Sequence, residues 1–195
     1  MTTTTTTSDL GPTASDLGLA AGTWTIDAGH SHVGFTVRHL MVSKVRGEFA
    51  DFAGTIQVTE DVTASSVDAT VHAASVNTRD SARDEHLRAS DFFAIDQHPT
   101  WTLRSTALRA TGDREFVLTA DLTIRGVTRS VDFDLEFHGV TPDPWGGTRL
   151  GLTAETTINR KDFGVDWNLP VDGGGVVVGD KVTITLEIEA IRDAS

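Results

Sequence analysis

The pair of residues with the plainest capacity for chemistry is His30 and His32, flanking Ser31 in Gly29-His30-Ser31-His32-Val33. On an extended segment two imidazoles so spaced project to one side, a spacing zinc sites use when a third ligand closes them. His72 and His138 are the third ligands on offer, and a metal held by His30 and His32 would suit a hydrolase or isomerase. The plainer reading is a pair of surface or rim histidines. Ser31 makes a poor nucleophile, because Val33 stands where a nucleophile elbow needs glycine and no helix pattern follows. A glycine-rich run at 174–181 has Asp180 where a phosphate loop carries lysine and leads into a strand pattern, so it reads as a β-connection. The chain has no cysteine, which removes thiolate metal sites, cysteine nucleophiles and disulfides.

Cationic groups gather elsewhere. Residues 78–93 carry the one amphipathic helix pattern, with Ser81 and Asp84 as its capping pair. Arg79, Arg83 and His86 share a stripe at helical spacing, and Phe92 and Phe93 follow as an apolar plug. Arg160 and Lys161 sit side by side before Phe163, where a strand pattern ends. The carboxylates Asp132, Asp134, Glu136, Glu187 and Glu189 alternate with apolar residues and read as solvated strand faces, not a catalytic pair.

The elements that must position these groups are strands. Val33, Phe35 and Val37 share one face of their segment, as do Val67, Ala69, Val71 and Ala73 within 66–76. Phe116, Leu118, Ala120, Leu122 and Ile124 alternate next, and Arg125-Gly126 turns the chain into Val131, Phe133, Leu135 and Phe137. Two further runs, 150–158 and 182–189, close the series. The count is about eight strands joined mostly by hairpins, hence an antiparallel sheet. Strands of about nine residues span about 30 Å, which together with internal glycines favours a closed barrel over a sandwich. The apolar faces then point into a greasy lumen, and the helix covers one end.

Composition bounds the partners. Sixteen cationic side chains against 28 carboxylates leave a net charge of −12, which argues against nucleic acid and against polybasic membrane docking. No apolar run approaches the ~20 residues of a membrane-spanning helix, so no stable membrane insertion is expected. Residues 1–22, threonine-rich and without an export-signal pattern, are expected to form a disordered tail before a single domain at 23–192, with the cytoplasm as default compartment.

Five segments carry a resemblance: TWTIDAGHSHVGFTVRHL at 23–40, GEFADFAGTI at 47–56, SSVDATVHAASVNTRDSARDEHLRASDFF at 65–93, LTIRGVTRSVDF at 122–133 and TTINRKDFGVDW at 156–167. In this order they resemble the YceI-like polyisoprenoid-binding family over residues 24–190. The resemblance implies an extended eight-stranded antiparallel, lipocalin-like barrel with a long-chain isoprenoid lipid, a polyprenyl phosphate or an isoprenoid quinone, in its lumen. It implies binding and sequestration or transport without catalysis or cofactor, in a family where homodimers are frequent. Expected lumen residues are Phe35, Val37, Phe49, Phe52, Trp101, Leu103, Leu118, Leu122, Phe133, Leu135, Leu152 and Ile184. Headgroup candidates are Arg38, Arg79, Arg83, His86, Arg160 and Lys161, because cationic forks suit phosphate. The competing readings are the metal-dependent hydrolase or isomerase above and a non-catalytic interaction module with a side-chain-filled barrel.

Overall fold

The computed structural model describes residues 11–170 and 175–194. Gly174, at the head of the glycine-rich run, lies outside them, as does the stretch 1–10 of the expected tail. In chain order the elements are β1 (Gly22–Ile26), β2 (His32–His39), β3 (Ser43–Phe49), β4 (Phe52–Val58), β5 (Ser66–His72), β6 (Val76–Asn77) and α1 (Ser81–Arg88). They continue with β7 (Thr100–Ala110), β8 (Glu115–Ile124), β9 (Val127–Pro142), β10 (Thr148–Asn159) and β11 (Val178–Arg192).

Hydrogen bonding closes a ring in the order β1-β4-β5-β7-β8-β9-β10-β11 and back to β1, all antiparallel. β2, β3 and β6 extend the wall from β11. The eight long strands expected from the sequence are present, but the first three are each broken in two. β1 and β2 lie end to end along one edge of β11, through Ile26↔Ala190 and His32↔Glu187. At the break the Asp27 N–H donates to the Glu189 carbonyl (2.8 Å) and the Glu189 N–H donates to Ser31 Oγ (2.9 Å). Ser31 thus continues a ladder that would otherwise lose a rung. The 66–76 run, expected as one strand, breaks at His72, where the 3-10 helix Ala73–Ser75 intervenes before β6.

The helix is shorter than its sequence pattern. Asp80, not Ser81, is the N-cap: its carboxylate accepts the Arg83 N–H at 3.1 Å, and Ser81 is the first helical residue. Thr78 stays outside because Asp84 claims both its N–H (2.8 Å) and its hydroxyl (2.6 Å). After Arg88 the backbone extends at Ala89, and turns carry Phe92 and Phe93 into the interior at 6% and 8% exposure. The tail expectation is corrected for residues 11–22. Ala14 is buried, Ser15–Leu17 forms a 3-10 helix, and the Ala14 N–H bonds the Glu60 carbonyl at 2.9 Å. Ala14 and Leu17 pack with Trp24, Val58, Val62, Phe116, Phe137 and Leu150, closing the barrel end away from α1. Burial of two small apolar groups leaves no periodic signal, so the sequence pattern conceals it. None of the described helices is long and apolar enough to cross a membrane.

Candidate functional site: the barrel lumen and its rim

Inward-pointing alternate residues of every wall strand converge on one elongated cavity of about 650 Å³. Its walls run from Leu17, Val62, Phe137 and Leu150 at the closed end, past Leu118, Phe133 and Ala154 at the waist, to Phe92, Phe93, Phe163 and Trp167 beneath α1. Nearly all of it is apolar. Polar side chains on the wall gather chiefly at the α1 end: Arg38, His39, Thr78, Asp80, Arg83, His86 and Arg160. The structure places all twelve expected lumen residues on this wall. Phe133 is fully buried, whereas Phe35, Val37 and Ile184 are only half-buried because they face unfilled space.

An aromatic cluster shapes the α1 half. Trp101 meets Phe93 edge-on at 4.7 Å and Phe49 at 5.0 Å, and Phe92 lies 5.2 Å from Trp167. Gly47 makes room for it: a Cβ there would collide with the Phe35 ring and the Thr78 methyl group. Trp167 meets His86 edge-on at 4.7 Å, so the imidazole sits in the rim between ring and solvent. The Trp101 indole N–H is buried with no hydrogen-bond partner among the described residues.

The headgroup candidates fall into three groups. Arg38, Arg83 and His86 border the cavity. Arg83 donates Nε to Thr78 Oγ1 (2.7 Å) and Nη2 to the Thr78 carbonyl (2.9 Å), and Thr78 in turn is held by Asp84. Arg160 also borders the cavity, but its guanidinium is committed to the backbone carbonyls of Gly179, Val165, Trp167 and Val178. Arg79 and Lys161 do not reach the lining. Arg79 is exposed in a left-handed conformation (φ 64°) before the helix, and Lys161 turns outward to Asp180 at 3.0 Å. Residues the sequence reading passed over include Trp167 and Arg125. Arg125, in the turn after β8, reaches the Gly164 and Ser90 carbonyls and ties that turn to the rim loops.

His30 and His32 do not converge on the cavity or on a shared partner. His32 Nδ1 faces Glu48 at 3.3 Å, and His30 Nδ1 lies 2.8 Å from Asp27. His30, Asp27 and Glu189 form a cluster with ligand-like spacing, yet the Arg149 guanidinium already spans Asp27 (2.7 Å), Asp143 (3.0 Å) and Glu189. A cation is therefore built into that site. Arg149 first, then His30, lowers the Asp27 pKa to about 2 from the ordinary 3.8. The ionised form then stabilises the fold fully above about pH 4, and the contribution is lost as pH falls through about 2. Changing Arg149→Met is expected to return the Asp27 carboxyl titration, followed by NMR, toward the ordinary range. An unmoved titration would show that the guanidinium is not what holds it down.

A family model described as the YceI-like domain matches residues 24–190. The chain belongs to the YceI-like domain family. A UPF0312 protein of Staphylococcus aureus (strain N315) is 35% identical over 168 residues, covering 85% of this chain and 95% of that protein. Among solved structures, a YceI protein of Campylobacter jejuni is 28% identical with a TM-score of 0.69, over 80% of this chain and 90% of that one. Burkholderia cenocepacia BcnA superposes with a TM-score of 0.74 at 21% identity, over 84% of this chain and 98% of BcnA. A domain from Saccharophagus degradans described as polyisoprenoid-binding gives 0.68 at 16% identity, over 87% and 98% of the two chains. The matched YceI-like region starts at Trp24, so the plug formed by Ala14 and Leu17 lies outside it.

Proposed function

We propose that this YceI-like barrel binds a long-chain isoprenoid lipid in its lumen, sequestering or carrying it without chemical change. The observation that carries the reading is the continuous apolar cavity of about 650 Å³, closed at one end and rimmed by cations at the other. At the roughly 30 Å³ that a water-sized group fills in a liquid, that space takes about twenty methylene-sized groups. Burial contributes about 0.8 kcal/mol per methylene, and ordering the flexible chain offsets a large part of the sum. A slim, branched, unsaturated tail suits a narrow bore lined by Phe and Trp rings better than a bulky ligand does. The polyisoprenoid-binding description of the Saccharophagus degradans domain supports this choice of ligand class. An open lumen speaks against the filled-barrel interaction module, and the Arg149 clamp on Asp27 and Glu189 speaks against a metal-dependent hydrolase at His30.

Organic extraction of the protein purified from its own host, read by mass spectrometry, is expected to release a long isoprenoid. A clean extract combined with no uptake of added polyprenyl phosphate or isoprenoid quinone would overturn the reading. The headgroup is addressed by Arg83→Glu. For a phosphate ligand the reversal weakens binding about tenfold or more, as loss of a charge-assisted hydrogen bond implies, whereas a neutral quinone scarcely responds. Equal loss for both ligands would assign Arg83 to holding Thr78 alone.

A further inference from the structure

The hairpin between β2 and β3 is costly for a soluble surface. Its three-residue turn is Leu40-Met41-Val42, exposed by 40%, 59% and 82%. Leu40 (φ 49°) and Met41 (φ 59°) both sit in the left-handed region, where side chains of this size are disfavoured and Asn-Gly would be at ease. The tip is therefore apolar, solvent-facing and strained together. Backbone hydrogen bonds tie it to the stretch 169–177: the Leu40 N–H reaches the Val177 carbonyl (2.9 Å), and the Val177 N–H reaches that of Leu169 (3.2 Å). Leu169 is 53% exposed and Val176 36%.

The charge around this tip opposes the charge of the whole chain. Residues 28–47 contain Arg38, Lys44 and Arg46 and no carboxylate, in a protein of net charge −12. Arg38 and Lys44 stand directly opposite each other in the ladder, a like-charge pairing that weakens a hairpin. None of the three cations has an ion-pair partner among the described residues. At the same end the carboxylates of Asp80 and Asp180 are engaged, the first as the α1 cap and the second with Arg160 and Lys161. Val37, His39 and Val45 of this hairpin and the adjoining Val177 line the lumen.

We propose that this hairpin is a docking device for an anionic lipid surface, its Leu40-Met41-Val42 tip entering the headgroup layer while Arg38, Lys44 and Arg46 meet lipid phosphates. Apolar area and local cations are the two contributions that hold a peripheral segment at such a surface. Docking there sets the rim of the lumen against the bilayer. Docking by the hairpin is independent of what fills the lumen. The net charge of the chain averages over this hairpin, whose three cations have no ion-pair partner among the described residues.

The test is co-sedimentation of the full chain with vesicles of phosphatidylcholine alone or mixed equally with phosphatidylglycerol. Binding is expected to the mixed vesicles, to weaken with added salt, and to fall about fivefold for Lys44→Gln, the effect of one surface cation. The pair Leu40→Asn with Met41→Gly relieves the turn and removes its apolar side chains. It should retain or raise the melting temperature while losing vesicle binding. Isoprenoid uptake from detergent by this variant should match the wild type, so failure of docking and failure of the lumen reading show separately. Absence of wild-type binding to anionic vesicles, or unchanged binding by the turn variant, would overturn the proposal. So would self-association that the variant abolishes while vesicles stay unbound, which would make the tip an interface between copies.

Discussion

Introducing Leu103→Trp together with Ile184→Trp is expected to leave a folded barrel that no longer takes up a long isoprenoid. Both side chains stand at the waist, where the middle core cluster meets the one beneath α1. Leu103 faces inward from β7, opposite Leu122, and Ile184 from β11, opposite Phe35. Two indoles there divide a cavity of about 650 Å³ into separate halves, neither of which holds a long tail. Overpacking a filled core costs about 1–3 kcal/mol, and enlargement into unfilled space costs less. Melting temperature and near-ultraviolet dichroism report the fold, and uptake of added polyprenyl phosphate reports the lumen. A folded double variant with wild-type uptake would place the ligand somewhere other than the waist.

Arg160→Met is expected to destabilise the protein by about 1–3 kcal/mol or more, the cost of leaving buried hydrogen-bond acceptors unsatisfied. The Arg160 guanidinium is 5% exposed and donates to the carbonyls of Gly179 (3.0 Å), Val165 (2.5 Å), Trp167 (2.9 Å) and Val178 (3.3 Å), with Asp180 at 3.5 Å. Burial lowers its pKa, and the Asp180 and Asp166 carboxylates oppose that shift, so the group stays charged. Removing it strands carbonyls on both sides of the rim, those of Val165 and Trp167 in the loop after the 3-10 helix and those of Val178 and Gly179 in β11. Lysine does not restore them, since an ammonium lacks the planar fork. Urea unfolding of the methionine and lysine variants checks this, with limited proteolysis of residues 164–179 as a second readout. A methionine variant as stable as the wild type would show that the clamp contributes nothing net.

The sequence made the second half of the barrel legible and the first half less so. β8 alternates throughout, and β9 does so from Val131 to Phe137 before a bulge at His138, so these inward faces can be read directly, Phe133 and Leu135 included. β1 to β6 are interrupted by a ladder break at Asp27 to Ser31, by a bend at Ala50 and Asp51 and by a 3-10 turn, and none of the three follows from residue type. The rim was the least legible part. Arg160 and Lys161 are adjacent cations in the same motif, yet one is buried among carbonyls and the other is in solvent. Only the αL turn at Gly164 and the path of the following loop separate them. Among apolar residues, alternation finds the inward face but does not tell Phe133, packed tight, from Phe35, which faces space.

β11 is hydrogen-bonded to β10 along one edge and to both β1 and β2 along the other. The order of synthesis therefore conflicts with the order of closure. β1 and β2 leave the ribosome first and wait for a partner more than a hundred residues further on. Until then their edges, and the one β10 presents, are open templates for pairing with other chains, and the greasy interior is uncovered. Contacts so distant in sequence make barrel formation slow. A nascent chain stalled before Val178 should accordingly depend on holding chaperones, and one released after Arg192 should not.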